Sequence, residues 1–280
     1  MAAPLREGLF LGSLAGFLVI WLTQKIDRRG FSSKEVAERL GREVLIEVPK
    51  IPAKNLVGVS YLKPECPPSF IEAIRGLRGS LVLTAAQREA KVVLVTSTTA
   101  GEGKSTLSLN LAQATAETGL KTLLIDADLR RGTVAERLGI AANTPGLADI
   151  IRGEKEWRDC LIKSPQHAFT VLIGGTRPAT VVDRLLREFP HEMLAKAREE
   201  YDLIIFDAPP LMPVRDADTI LTFAERVVFV VKIRGAALDA AERSLLVVKR
   251  LAKVEPLLVV NQASTRDGSG YYHYYYDAYR

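Results

Sequence analysis

Residues 91–111 read KVVLVTSTTAGEGKSTLSLNL and contain three kinds of local structure in succession. The β-branched run at 92–95 predicts a buried strand, and the residues from Lys104 onward have the apolar pattern of a helix. Gly101 and Gly103 lie between them and allow a tight loop. A strand, a glycine-rich loop and a helix in this order predict an α/β fold with an anion site at the helix N-terminus.

The loop follows the phosphate-binding pattern GxxxxGK with Ser or Thr next, although Thr98 replaces the first glycine. In such a loop Lys104 would reach the β and γ phosphates of a nucleotide, and Ser105 would ligate Mg²⁺. A chance glycine turn before a helix is the alternative, but strand, loop and helix all occur in order. We predict a nucleotide site formed by Ala100, Gly101, Glu102, Gly103, Lys104, Ser105 and Thr106.

The rest of the chain supports a single sheet built around this loop. Apolar, β-branched runs predict strands at KVVLVTS, KTLLIDA, FTVLIGG, DLIIFDA, RVVFVVK and PLLVVN, with helices between them near 104–118, 184–199 and 237–252. Strands this uniformly apolar are buried on both faces, as parallel sheets require. The predicted fold class is α/β, a mostly parallel sheet sandwiched by helices, with the ligand at the carboxyl ends of the strands.

Carboxylates follow two of these strands. Asp126 and Asp128 lie at the end of the strand predicted in TLLIDADLRR. Asp207 lies at the end of the strand predicted in YDLIIFDAPP. A cation that bridges nucleotide phosphates needs oxygen ligands, directly or through water. A single aspartate would be read as a helix cap or loop residue, but three at strand ends beside a phosphate loop predict part of the site.

The N-terminal residues predict a membrane anchor. Residues 8–24 carry no charge and would form a helix about 25 Å long, slightly short for a hydrocarbon core of about 30 Å but able to span it. Lys25, Arg28 and Arg29 follow, which places the C-terminal side in the cytoplasm. A signal peptide is the alternative, but no AxA-like site precedes the charged residues. We expect a single-pass protein of the inner membrane with its catalytic domain in the cytoplasm.

Two helices are predicted between the anchor and the sheet. Ser32 and Glu35 have the spacing of a capping box, and Gly41 ends the first helix. Five prolines in 48–68 then indicate a linker. A second helix from Ser69 places its apolar side chains on one face: Phe70, Ile74, Leu77 and Leu81. The expected divisions are an anchor at 1–27, a juxtamembrane helix and linker at 28–68, the main domain at 69–265 and a flexible tail at 266–280.

Charge and cysteine content exclude several classes of function. The formal net charge is +5, but basic and acidic residues are interspersed and form no block, so we expect no nucleic-acid partner. Cys66 and Cys160 lie far apart without CxxC spacing, which indicates neither a disulfide framework nor a zinc site.

Taken together, these motifs resemble the bacterial tyrosine kinases of polysaccharide synthesis and export. The shared parts are AGEGKST, LLIDADLR, LIIFDAPP, the helix EAIRGLR, a preceding membrane segment and a terminal tyrosine cluster. The resemblance implies ATP and Mg²⁺ as cofactors, and Lys104, Asp126 and Asp128 as catalytic residues. Asp126 would accept the tyrosine proton, and the implied metal ligands are Ser105, Asp128 and Asp207. No HRD or DFG segment occurs, which excludes an ordinary protein kinase fold.

The resemblance also implies a homo-oligomeric ring in which each subunit offers its tail to its neighbour. Glu72, Arg75 and Arg78 of EAIRGLR would form the interface, or Ser69 and Glu72 would only cap a helix with solvated arginines. The phosphorylated residues would be Tyr271, Tyr272, Tyr274, Tyr275, Tyr276 and Tyr279, which follow a glycine-rich stretch. The implied partners are a polysaccharide co-polymerase and its export machinery, a separate membrane activator and a tyrosine phosphatase.

The chain departs from the family pattern in three places, and two other functions stay open. Ala100 lies where proline is common, residues 174–186 follow their motif only loosely, and the chain begins just before what would be the second membrane helix of many relatives. A ParA- or MinD-like ATPase switch shares the fold, but Thr99 lies where those proteins usually carry lysine. A nucleotide-binding scaffold without kinase activity is the other alternative.

Overall fold

The computed structural model describes residues 32–52, 58–59, 61, 63–88, 90–163, 165–176, 189–212, 216–233 and 237–263. The predicted anchor, the tail tyrosines and most of the segment 174–186 lie outside the described residues, as does the first part of the helix predicted near 184–199. Within the described ranges, no helix combines the length and the apolar character needed to cross a bilayer.

The centre of the molecule is one eight-stranded sheet. Its order is β1-β8-β7-β2-β6-β3-β5-β4, and all neighbours are parallel except β4 and β5. The strands are β1 Val44–Pro49, β2 Val92–Ser97, β3 Thr122–Asp126, β4 Ile162–Lys163, β5 Thr170–Leu172, β6 Leu203–Asp207, β7 Arg226–Lys232 and β8 Leu257–Ala263. A mostly parallel α/β sheet is therefore confirmed, and every residue of β2, β3 and β6 is buried.

Helices cover both faces of this sheet, and each face has its own apolar cluster. The helices are α1 Ser33–Leu40, α2 Pro68–Arg88, α3 Lys104–Ala116, α4 Val134–Arg137, α5 Leu147–Ile151, α6 His191–Glu200, α7 Asp218–Leu221 and α8 Leu238–Ala252, with a 3₁₀ turn at Trp157–Cys160. Buried apolar area on both faces stabilises the parallel arrangement, since parallel strands have no polar face to expose.

Two strands were not predicted from the sequence. The sequence of β1, VLIEVP, has neither a long apolar run nor a regular alternation of apolar and polar residues, so it does not predict a strand. Five of its six residues are only partly buried. It pairs with β8 at the edge of the sheet, with two irregularities in register. β4 has two residues, Ile162 and Lys163, and pairs antiparallel with β5. Edge strands this short or irregular lack the buried pattern that identified the other six.

The predicted helix ends are largely confirmed. Ser32 accepts a hydrogen bond from the Glu35 amide, and Glu35 accepts one from the Ser32 amide, which forms the capping box of α1. Gly41 ends α1 in a left-handed conformation. Helix α2 begins at Pro68, one residue before the predicted start at Ser69, and its predicted apolar face is buried at Phe70, Ile74, Leu77 and Leu81.

Candidate active site

The candidate site lies where the carboxyl ends of β2, β6 and β3 meet. These three strands are neighbours in the sheet, and Asp126 of β3 is directly opposite Asp207 of β6. Asp207 is also opposite Val95 of β2, two residues before that strand ends at Ser97. Because parallel strands end at the same edge, the phosphate loop after β2 and both carboxylates lie together.

The phosphate loop leads directly into the N-terminus of α3. Gly103 precedes the helix with a φ of 102°, and Lys104 is the first helical residue. The Lys104 side chain is buried, and Ser105 and Thr106 follow it in the first turn. The first amides of a helix have no partners within the helix, so this end attracts anions such as phosphate.

Glu102 and Asn261 brace this loop against the sheet, and neither role was predicted. The Glu102 carboxylate accepts hydrogen bonds from the amides of Thr99 (2.7 Å) and Lys232 (3.4 Å). Asn261 Nδ2 donates to the Glu102 carbonyl at 2.7 Å. Burial raises the pKa of Glu102, and the two amide hydrogen bonds and Lys104 act in the opposite direction. The loop is therefore linked to the ends of β7 and β8.

Asp207 is fully buried beneath the loop. Burial raises its pKa to about 6, the charge of Asp128 adds to this increase, and the Ser105 hydrogen bond and Lys104 oppose it. Its Oδ1 atom accepts a hydrogen bond from Ser108 Oγ at 3.1 Å. Within the described residues Oδ2 has no hydrogen-bond partner. A buried carboxylate oxygen without such a partner, close to Ser105, fits a site in which it would bind a divalent cation directly or through a water molecule.

Asp126, the last residue of β3, and Asp128, two residues after it, are buried to different depths relative to the cleft. Asp128 lines the cleft together with Ser105, and its Oδ1 atom accepts a hydrogen bond from the Arg131 amide at 2.9 Å. Asp126 is fully buried, and its Oδ1 atom accepts from the Asp128 amide at 3.2 Å. Gly132 covers Asp126 so closely that a Cβ atom on it would lie 2.3 Å from Oδ2. Asp128 therefore reaches the cleft, whereas the loop that ends at Gly132 separates Asp126 from it.

Lys104, Ser105 and Asp128 line a cleft of about 410 Å³, in the size range of small-molecule sites. Its walls also carry basic side chains and the end of β8: Lys50, Arg131, Arg137, Asn261 and Gln262. The described part of the chain contains no group of three or more His, Cys, Asp or Glu side chains that would hold a metal by itself. Ser105 and Asp128 line this cleft and carry oxygen atoms of the kind that bind divalent cations beside phosphate and water.

The residues predicted for the subunit interface lie on α2, away from the cleft. Arg75 donates hydrogen bonds to Tyr61 Oη (3.0 Å) and to Glu72 (2.8 Å). Arg78 donates to the carbonyl of Ala114 near the C-terminus of α3, at 3.1 Å. Both arginines therefore contact their own subunit, which neither of the two sequence interpretations predicted. Glu72 and Arg75 stay about half exposed.

A family model described as an AAA domain matches residues 90–259. The tyrosine-protein kinase YwqD of Bacillus subtilis is 34% identical over 160 residues, which covers 57% of this chain and 67% of YwqD. The tyrosine-protein kinase Etk of Escherichia coli K12 is 30% identical over 215 residues, which covers 70% of this chain and 30% of Etk. The chain thus spans about a third or less of the length of its longer curated relatives.

Solved structures agree with these relatives. The kinase domain of the Escherichia coli tyrosine kinase ETK superposes with a TM-score of 0.75 at 26% identity, over 86% of this chain and 98% of that structure. The septum site-determining protein MinD of Pyrococcus horikoshii, complexed with Mg-ADP, gives a TM-score of 0.51 at 23% identity over 61% of this chain and 67% of that structure, which shows the shared fold alone. The chain therefore belongs to the family of bacterial tyrosine kinases built on an AAA-type nucleotide-binding domain.

Proposed function

We propose that the chain is an ATP- and Mg²⁺-dependent protein-tyrosine autokinase that regulates polysaccharide polymerisation and export. The observation that carries this proposal is the meeting of Lys104, Ser105 and the fully buried carboxylate of Asp207 at one edge of a parallel sheet. Phosphoryl transfer needs mainly alignment and charge neutralisation, and this arrangement can provide both. The relatives named as tyrosine kinases support this choice among the functions that share the fold.

Each side chain has a defined part in the proposed reaction. The α3 N-terminus and Lys104 bind the phosphates, and Lys104 neutralises negative charge that develops on them. Ser105, Asp128 and Asp207 would hold Mg²⁺ directly or through water, and the ion would supply positive charge beside the phosphate oxygens. Asp126 is the proposed proton acceptor for the tyrosine hydroxyl. Since Gly132 covers Asp126, this role requires the segment 128–132 to move, whereas Asp128 needs no such movement.

The proposed substrate is the tyrosine cluster of a neighbouring subunit. The six tail tyrosines follow Gly268, Ser269 and Gly270, a composition that is typical of a flexible linker. In a head-to-tail ring, the exposed parts of Glu72 and Arg75 would contact the next subunit near its cleft. The membrane anchor at 8–24 would keep this ring beside the export machinery, a separate membrane activator and a phosphatase that resets the tail.

The second candidate is an ATPase switch, favoured by the fold that the chain shares with MinD. Such a protein would hydrolyse ATP and bind a partner surface without labelling tyrosine. A nucleotide-dependent scaffold would do neither reaction. Thr99, at the position where the switch proteins usually carry lysine, supports the kinase.

The deciding experiment incubates the full chain in detergent with Mg²⁺ and ATP and maps phosphotyrosine by mass spectrometry. We expect label on the tail tyrosines, and a decrease of about 10²-fold or more for Lys104→Met. Mixing Lys104→Met that has its tail with an active chain cut at Gly268 tests transfer between subunits, because label can then appear only on the inactive copy. ATP hydrolysis without tyrosine label would instead identify the switch.

A further inference from the structure

Arg137 is a basic residue of the cleft that the roles above leave unexplained. It ends the four-residue helix α4, which follows the loop carrying Asp128. It lines the same cleft as Lys104, Ser105 and Asp128. It lies 33 positions after Lys104, outside every motif identified in the sequence.

The guanidinium of Arg137 is held in place and partly removed from water. Its Nε atom donates to Thr133 Oγ1 at 3.2 Å, and Thr133 also lines the cleft. Burial lowers the pKa of Arg137, and the negative charges of Asp207 and Glu136 act in the opposite direction. A bound phosphate would offset the free-energy cost of removing this cation from water.

The location of Arg137 in the cleft indicates which part of a nucleotide it would contact. Asp207, Ser105 and Asp128 mark where a cation would bridge the phosphates, and Lys104 approaches the same place from α3. Arg137 lines the cleft together with Ser105 and Asp128, which places its charge on the side of the cleft where the phosphates would lie. Arginine also presents a planar fork of donors that matches two phosphate oxygens.

We propose that Arg137 binds the terminal phosphate of a nucleoside triphosphate from within the same subunit, so that the cleft prefers a triphosphate to a diphosphate. This inference rests on the proposed function, since it assumes that the cleft holds ATP. The guanidinium would complete a cationic enclosure with Lys104 around the transferred group. Its charge would then oppose the negative charge that develops as the phosphoryl group leaves.

The test measures binding without phosphoryl transfer. Dissociation constants of the full chain in detergent are determined by calorimetry for a non-hydrolysable ATP analogue and for ADP, each with Mg²⁺. For Arg137→Gln we expect the affinity for the triphosphate to fall by about 10- to 100-fold, because a charged hydrogen bond is lost. The affinity for ADP should change by less than about threefold, within the error of such comparisons. Arg243→Gln on α8, outside the cleft, removes the same charge and should change neither constant.

Arg137→Lys keeps the positive charge but removes the planar set of guanidinium donors. If Arg137→Gln does not fold, this variant tests the role of Arg137 in triphosphate binding. We expect it to lose about 3- to 10-fold in triphosphate affinity, with a thermal unfolding temperature close to that of the unmodified chain. Equal weakening of both nucleotides in either variant, or unchanged affinity for both, would overturn the proposal. If the unmodified chain binds nucleotides but never labels tyrosine, the proposed kinase function fails while the role of Arg137 is still decided by these two constants.

Discussion

The Asn261 side chain occupies the space beside Gly103 where any other residue would place its Cβ atom. A Cβ atom at position 103 would lie 1.9 Å from Asn261 Nδ2, and the φ of 102° is strained for any other residue. We expect Gly103→Ala to lower the free energy of unfolding by about 2–4 kcal/mol through overpacking and backbone strain together. The double variant with Asn261→Ala should lack the overpacking. Its loss of unfolding free energy should therefore be smaller than the sum of the losses in the two single variants. Chemical denaturation of the four proteins measures this coupling.

Gly101→Ala is the matched control for that cycle. Gly101 has a φ of 84°, but apart from its chain neighbours no atom of the described residues lies within 4 Å of the Cβ position. The substitution should therefore show backbone strain alone, about 1–2 kcal/mol, with no coupling to Asn261→Ala. Equal coupling at both glycines would mean that Asn261 acts on the loop through its conformation and not through contact.

Cys160 provides a pH-dependent prediction at the same scale. Burial raises the pKa of its thiol to about 11, and Asp149 and Asp159 add to the increase. In the unfolded chain a thiol ionises near pH 8.5. Between about pH 8.5 and 11 the unfolded state therefore loses this proton while the folded state keeps it, so stability falls as pH rises. Below pH 8.5 this contribution is fully present.

The measurement compares the unmodified chain with Cys160→Ala from pH 7 to 11. The Ala variant removes the titration, so the difference in unfolding free energy between the two proteins should shrink as pH rises through this window. Cys160 should also react with a thiol reagent at pH 8 only after the chain unfolds. Rapid reaction in the folded state would contradict the buried environment.

At the scale of elements, the sequence predicts features formed by neighbouring residues in the chain, but not contacts between residues that are far apart in it. Strands β2, β3 and β6 contain apolar runs and are buried throughout, and the carboxylates that end β3 and β6 directly follow those runs. Asn261 and Glu102 are 159 positions apart, and their hydrogen bond depends on where β8 lies in the sheet. No periodicity in either segment contains that information. The order of strands therefore had to be observed before the bracing of the loop could be identified.

Strand β1 offers a test of the element that the sequence pattern did not identify. Val48 is fully buried and lies opposite Asn261 of β8, whereas the neighbouring Glu47 is only partly buried. Val48→Ala should lower the free energy of unfolding by about 1–3 kcal/mol through lost apolar burial and a small cavity. Glu47→Ala should change it by less than about 0.5 kcal/mol, as surface substitutions usually do. If denaturation gave equal values for both, residues 44–49 would behave as part of a linker.

At the scale of the whole molecule, charge connects the tail to assembly. The formal net charge is +5, and each phosphotyrosine adds about −1.5 to −2. Full modification of six tyrosines would add about ten negative charges to each subunit and reverse the sign of its net charge. In a ring these charges lie on neighbouring copies, so their repulsion opposes association. We therefore expect the unmodified chain to associate and the phosphorylated chain to separate.

Sedimentation velocity in detergent at several salt concentrations tests this expectation. Phosphorylated protein should dissociate at 0.05 M NaCl and partly reassociate at 1 M, because the Debye length shortens to about 3 Å and screens the repulsion. A chain with all six tail tyrosines changed to Phe should associate equally at both concentrations after the same treatment with Mg²⁺ and ATP. Arg75→Ala should weaken association of the unmodified chain, and its thermal unfolding temperature is the control, since Arg75 also donates a hydrogen bond to the part-buried hydroxyl of Tyr61. Phosphorylated protein that stays associated at low salt would show that ring closure does not respond to the charge of the tail.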